Sequence, residues 1–316
     1  MSAILGTGTR FESLPAGSNV AAKSAAAGVA AKGVAAKGVA EAAAALVASA
    51  KPVISARIAQ AQRRALFLKI FAPIAGFALF ALIWQLIAQT NGQIPTPAKV
   101  LDAAIKIFGD PFYRKGPNDQ GIGWNILASL QRVGIGFGLA AIVGIPLGFM
   151  IGRFRFLDDM TNPIISLLRP VSPLAWLPIG LLVFKAANPA AIWTIFICSV
   201  WPMIINTAVG VRQIPQDYMN VAKVLNLSEW KVFTKILFPA VVPFVLTGVR
   251  LSIGVAWLVI VAAEMLTGGV GIGFWVWDEW NNLNVQHIII AIFTIGIVGL
   301  LLEVAMVALA HRFEYK

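Results

Sequence analysis

At residues 212–239 the chain reads RQIPQDYMNVAKVLNLSEWKVFTKILFP, a polar interruption between two long hydrophobic runs. The stretch holds four cations and two acids, although 59% of the whole chain is hydrophobic. Its apolar residues recur at intervals that predict a short amphipathic helical hairpin. Because a chain of this composition could turn between two membrane spans in a few residues, the extra polar surface predicts a docking partner outside the bilayer.

The runs on either side of this stretch predict a polytopic membrane protein. The mean hydropathy is +0.81 and 12% of the residues are charged. A transmembrane helix needs about 20 apolar residues to cross roughly 30 Å of hydrocarbon. These values predict an all-α protein with six transmembrane helices. The expected spans are about 67–89, 130–152, 162–184, 191–211, 241–263 and 288–310.

The charges predict the orientation in the membrane. The net charge is +11, and the cations cluster beside the spans rather than along one face of a soluble domain. Most of them flank the side that holds both termini and residues 212–239, and cytoplasmic loops carry such an excess of Lys and Arg. The charge distribution therefore predicts a multi-pass membrane protein with both termini in the cytoplasm. Cys198 is the sole cysteine of the sequence, which excludes an intrachain disulfide and a multi-cysteine metal site.

Residues 1–66 differ in composition from the predicted transmembrane domain, 67–316. The motif GVAAK occurs at 28–32 and again at 33–37, and a five-residue period gathers neither lysines nor apolar residues on one helix face. We therefore expect a low-complexity basic cytoplasmic tail that anionic lipid can attract. An organelle transit peptide is the alternative. The glycines of the repeat have phosphate-loop spacing but lack the Lys-Ser/Thr that must follow, so ATP is expected to bind another subunit.

The polar stretch carries a spaced motif. Asn220-Val221-Ala222 is followed by three residues, Asn226, nine residues and then Ile236-Leu237-Phe238-Pro239. This resembles the cytoplasmic coupling motif of binding-protein-dependent ABC importer permeases, which reads Glu-Ala-Ala, three residues, Gly, nine residues, Ile-x-Leu-Pro. Asn220, Val221 and Asn226 depart from that pattern. Asparagine tolerates a left-handed backbone better than other non-glycine residues, so the turn at Asn226 is expected to persist.

The resemblance extends from about residue 92 to the C-terminus. It rests on IPTPAKVL, RPVSPLAWLPIGLLVFK, GVRLSIGVAWLVIVAAEM and GIGFWVWDEWNNLN, and it is strongest to permeases for nitrate, nitrite, cyanate and bicarbonate. It implies a type I ABC importer permease fold, similar to that of metal and molybdate permeases, in a bacterial inner membrane. It also implies two permease copies, two ABC ATPase subunits that bind ATP and magnesium, and a periplasmic substrate-binding protein or lipoprotein. The coupling segment, residues 213–239, would dock on the ATPases through Asn220, Val221, Ala222, Asn226 and Pro239. This chain itself would hold no catalytic residue and no cofactor.

Four residues are candidates for the substrate path. Arg169 lies in the proline-rich third span, where its guanidinium could bind an anion or pair with another residue. Arg250 lies midway along the fifth span, and a pair with Glu303 or Glu264 is its alternative. Trp201 could shape the cavity or pack in the core. Glu264, at the outer end of the fifth span, is a candidate gate contact.

The sequence thus predicts the permease subunit of an ATP-driven importer for a small oxyanion, with nitrate or nitrite first. Bicarbonate, cyanate and sulfonate or taurine are the alternatives within the family. An ion-coupled secondary transporter is the alternative from another class. Such a transporter would be expected to carry paired acidic residues near the bilayer centre, and the sequence shows no such pair. No nucleophile or metal cluster in the sequence supports a membrane-bound enzyme.

Overall fold

A computed structural model describes residues 71–90, 92–116 and 119–313, together with Phe67 and Lys69. The predicted basic tail, residues 1–66, lies outside the described residues. The chain divides into two compact units, Met1–Leu82 and Ile83–Lys316, and the sites discussed below lie in the second.

Over the described ranges the protein is helical, and the one β-contact is an isolated bridge between Arg114 and Gln120. The helices are α1 (Phe71–Thr90), α2 (Pro97–Gly109), α3 (Ile122–Arg153), α4 (Arg155–Leu168), α5 (Pro173–Phe184), α6 (Ala187–Arg212), α7 (Gln216–Val224), α8 (Glu229–Val232), α9 (Phe238–Thr267), α10 (Ile272–Asn281) and α11 (Val285–Phe313). Five helical runs are long and apolar enough to cross a membrane, and α4 with α5 makes a sixth if that bent pair counts as one span. The predicted all-α polytopic fold is confirmed.

Helix α6 forms the centre of the second unit, where it packs against α3, α5 and α9. Small residues allow this close approach. A Cβ on Gly148 of α3 would lie 2.6 Å from the Cβ of Thr207, and one on Gly136 would lie 2.8 Å from the Cβ of Ile195. Transmembrane helices associate through such contacts because lipid supplies no hydrophobic force between them. The two glycines therefore set the distance between α3 and α6.

The third predicted span, 162–184, which is rich in proline, consists of two helices. Helix α4 begins earlier, α5 ends at Phe184, and the two axes bend by 99° at the break. Pro170 and Pro173 explain the break, because proline lacks an N–H, and the residue before Pro173, Ser172, is extended with ψ 134°. Arg169 caps α4 at this bend.

The coupling segment also differs from a simple hairpin of two short helices. Helix α7 is separate, but α8, a π-helical turn (Phe233–Leu237) and α9 form one continuous run from Glu229 to Thr267. The second arm of the predicted hairpin is therefore the beginning of the following span. A displacement of this arm would move the span directly.

Candidate functional site

A cavity of about 340 Å³ lies where α5, α6 and α9 meet the bend after α4. We call it the tryptophan cavity, since Trp176 and Trp201 line it together with Arg169 and Asn206. The structure thus brings together Arg169 and Trp201, two of the predicted path residues. The Asn206 Nδ2 donates a hydrogen bond of 2.8 Å to the Pro202 carbonyl, which holds the amide at the wall. No carboxylate occurs among the lining residues.

A second cavity, of about 560 Å³, lies between α4 and the last turns of α6. We call it the α4–α6 cavity. Its α4 wall is a polar stripe of Asp158, Asn162, Ser166 and Arg169, whose spacing places them on one helix face. Arg169 lines this cavity as well as the tryptophan cavity. Sequence reasoning singled out Arg169 but missed the stripe, although the four-residue spacing of its polar residues was a visible signal.

Arg169 differs from three other arginines that line cavities or lie within spans. Arg132, Arg212 and Arg250 each contact a carboxylate, at 2.5 Å in every case. The exposed side chain of Arg169 has no hydrogen-bond or ion-pair partner among the residues that the structure describes. A guanidinium without a carboxylate partner at a cavity wall can bind an anion without first breaking an internal ion pair.

Arg250 lies elsewhere. Its Nη2 contacts Glu303 Oε1 of α11, and both residues line a separate cavity of about 540 Å³ beside Trp257. This is the pairing that the sequence left open as an alternative. Arg250 lines neither cavity that Arg169 lines, and its contact with substrate stays a prediction.

Glu264 is 1% exposed and faces other side chains rather than a cavity. Ser129 Oγ donates to it at 2.8 Å, Arg132 Nη1 at 2.5 Å and the Gly273 backbone N–H at 3.0 Å. The cluster therefore ties α3 and α10 to the end of α9. The role of Glu264 as a gate stays a prediction.

These ion pairs differ in how much they contribute to stability, because they differ in burial. Removing one partner of a buried pair costs about 3–5 kcal/mol, because the other charge stays buried and unpaired. Exposed pairs contribute only about 0.2–1 kcal/mol. Arg132 and Glu264 are 13% and 1% exposed, whereas Arg212 and Asp158 are 41% and 27% exposed. The first pair is therefore structural, and the second is weak enough to exchange.

The coupling segment turns at Asn226. This residue has φ +49°, so the predicted left-handed backbone is confirmed. The Leu227 N–H donates to the Ala222 carbonyl at 3.0 Å, a bond that satisfies a carbonyl at the end of α7. Ala222 is buried against Val211, Val232 and Leu237. The turn thus fixes α7 on the ends of the spanning helices.

The opposite face of the coupling segment is exposed and apolar. Val224 is 85% exposed and Trp230 is 73% exposed, and Tyr218, Val221 and Leu225 are exposed beside them. Asn220 is also exposed. Pro239 lines a groove of about 540 Å³ together with Tyr218 and Lys235. Contiguous exposed apolar surface of this kind marks an interaction site.

In the part of the chain that the structure describes, no group of three or more His, Cys, Asp or Glu side chains could hold a metal ion.

Apolar spanning helices, a cavity with an unpaired arginine at a broken span, and an exposed apolar segment at one end define a multi-pass membrane transport protein. Residues 144–315 match the model of a family described as binding-protein-dependent transport system inner membrane component. The chain belongs to that family, which makes it an ABC importer permease, the translocation subunit in the inner membrane. This membership decides against the secondary transporter that the sequence left open.

Named relatives place the chain in one branch of the family. It is 49% identical over 236 residues to a nitrate import permease protein of Synechocystis, and this match covers 74% of this chain and 86% of the relative. It is 51% identical to the nitrate import permease protein of Leptolyngbya laminosa, over 76% and 85% of the two chains. A bicarbonate transport system permease protein of Synechocystis is 49% identical, over 74% and 85%. The branch therefore contains permeases for both anions.

A solved structure supports the fold. The chain resembles a subunit of the MetNI methionine ABC transporter in an inward-facing conformation, with a TM-score of 0.54 and 13% sequence identity. The match covers 60% of this chain and 95% of the other. At this identity the likeness shows the fold, a type I importer permease, and nothing about the substrate.

Proposed function

We propose that this chain is the permease subunit of an ATP-driven importer for nitrate and nitrite, and that Arg169 contacts the anion. The observation that carries the proposal is the unpaired guanidinium of Arg169 at the wall of the tryptophan cavity. The nitrate permeases at 49% and 51% identity support the choice of anion.

The chemistry of the tryptophan cavity suits a small planar anion. A guanidinium offers two parallel N–H donors that match two oxygens of one trigonal anion. The indoles of Trp176 and Trp201 supply apolar walls that exclude water, which strengthens this attraction. Because no carboxylate lines the cavity, no fixed negative charge repels the anion.

Bicarbonate is the second candidate, since a bicarbonate permease is also 49% identical to the chain. Bicarbonate is trigonal and carries the same charge as nitrate, so Arg169 could bind it in the same way. Cyanate and sulfonates or taurine follow as further candidates from the family resemblance.

The remaining parts of the importer belong to partner subunits in this proposal. The exposed face of α7 and α8, with Asn220, Val221 and Trp230, docks on two ABC ATPase subunits that bind ATP and magnesium. A second copy of the permease completes the path, and a periplasmic binding protein or lipoprotein delivers the anion. Both termini lie in the cytoplasm, where anionic lipid attracts the basic tail.

Competitive uptake by the reconstituted importer tests this function. The permease is assembled with its ATPase subunits and binding protein in vesicles, and ATP-driven nitrate uptake is measured against nitrite, cyanate, bicarbonate and taurine. We expect nitrite to compete best. Stronger competition by bicarbonate reverses the order of the two candidates, and no ATP-driven uptake of any of the five contradicts the proposed function.

A further inference from the structure

An ion pair joins α4 to α6 at the end of the α4–α6 cavity next to the coupling segment. Arg212 Nη1 lies 2.5 Å from Asp158 Oδ1, and both side chains line that cavity. Arg212 is the last residue of α6, and Asp158 lies in the first turn of α4. The pair is therefore at the mouth of the cavity that faces the ATPase side in the proposed function.

Arg169 lies at the other end of the same polar stripe. Three turns of α4, roughly 16 Å at 1.5 Å per residue, separate it from Asp158. Asn162 and Ser166 lie between them on the same helix face and offer neutral hydrogen-bond donors. An anion that leaves Arg169 along this cavity toward the coupling segment next meets the guanidinium of Arg212.

The Asp158 carboxylate already forms an ion pair with the Arg212 guanidinium. It is the one carboxylate among the side chains that line the α4–α6 cavity. Since Arg212 is 41% exposed and Asp158 is 27% exposed, water screens the pair and it can open at little cost. The buried pair of Arg132 and Glu264 has no such freedom, because opening it would leave a charge without a partner.

We propose that Arg212 is a second anion-binding residue at the exit, and that Asp158 is a tethered carboxylate that competes with the transported anion for it. The inference rests on the proposed function. The arriving anion displaces Asp158 from Arg212, and Asp158 displaces the anion when it leaves. Asp158 is thus a positioning residue that limits how long the anion stays at the exit.

The test measures how nitrate loaded inside the vesicles, on the ATP side, inhibits ATP-driven nitrate uptake by the complete importer. Asp158→Asn keeps the size of the side chain and frees Arg212. It should allow internal nitrate to inhibit at about two- to sixfold lower concentration, because a pair worth about 0.2–1 kcal/mol no longer competes for Arg212. Arg212→Gln should weaken that inhibition, and Asp158→Asn should then add nothing. Asp159→Asn is the matched control, since Asp159 pairs with Arg155 outside this cavity.

The opposite results overturn the proposal. If Asp158→Asn and Arg212→Gln leave the inhibition by internal nitrate unchanged, the pair only fastens α4 to α6. Asp158→Ser gives a second uncharged side chain, and failure of both Asp158 variants to assemble also makes the pair structural. Uptake by the wild-type importer judges the proposed function separately. If the importer takes up bicarbonate rather than nitrate, the same variants are tested with internal bicarbonate.

Discussion

Arg132 on α3 and Glu264 on α9 form a buried ion pair that holds together the end of the bundle opposite the coupling segment. Ser129 and the backbone N–H of Gly273 complete the coordination of the carboxylate. Two charges inside an apolar bundle are tolerated because each is the partner of the other and their remaining hydrogen-bonding positions are filled. The pair therefore stabilises the packing of α3, α9 and α10 at this end of the bundle.

Arg132→Met should destabilise the protein by about 3–5 kcal/mol, because Glu264 would stay buried without its cation. Thermal unfolding of the purified permease in detergent measures this. Arg153→Met is the matched control, as the Arg153–Glu229 contact is exposed and 3.5 Å long. Equal stability of the two variants would contradict a structural role for the buried pair.

Arg169→Ala should leave the thermal stability within about 0.5 kcal/mol of wild type, because the side chain loses no partner. It should weaken nitrate uptake by roughly 10- to 100-fold, which corresponds to a charged hydrogen bond of about 1.5–3 kcal/mol. Uptake kinetics of the assembled importer measure the effect, and Arg169→Lys should retain part of the affinity. Unchanged uptake by Arg169→Ala would make Arg169 structural.

Asn226→Val should uncouple ATP hydrolysis from transport, since a β-branched residue at φ +49° costs more than about 1–2 kcal/mol. The turn would then shift α7 and its exposed face. The measurement compares ATP hydrolysis with anion uptake by the complete importer. Asn226→Gly is the control and should transport normally, because glycine adopts this conformation freely. Normal ATP-driven uptake by Asn226→Val would contradict the proposal that this turn positions α7.

Gly148→Ala should separate α3 from α6 and lower the thermal stability by about 1–3 kcal/mol, the usual cost of overpacking. The added Cβ would lie 2.6 Å from Thr207 Cβ and 2.8 Å from the Ile204 carbonyl oxygen. Gly138→Ala on the same helix is the control, as no atom lies within 4 Å of its added Cβ. A matching loss in both variants would contradict the packing role of Gly148, because alanine favours a helix more than glycine does and should not destabilise it where space is free.

Local features of the chain were predictable from the sequence. Apolar runs of about 20 residues match the thickness of a bilayer, so the spans could be predicted from the sequence. The left-handed turn at Asn226 was also predictable, because few other side chains accept that backbone. The prolines of the third span were visible in the sequence, but the bend of 99° was not predictable, since proline stops a helix without setting the direction of the next one.

The partners of Arg132 and Arg212 were not predictable, whereas Glu303 was one of two partners that the sequence offered for Arg250. Arg132 and Glu264 are far apart in the sequence, and their pairing depends on how α3 and α9 cross. The same holds for Arg212 and Asp158, and for the unpaired state of Arg169. A side chain's own sequence neighbourhood contains no information on which carboxylate will reach it across another helix.

The sequence by itself determined that this protein crosses a membrane and that its polar segment at 212–239 carries a motif resembling the coupling motif of the family. It also led us to expect that ATP acts from another subunit. These follow from the cost of placing polar groups in hydrocarbon and from the backbone demands of single residues. The tertiary structure alone decided which arginine remains available to an anion. Ion pairing depends on distances of a few ångströms between helices, and only packing fixes those distances.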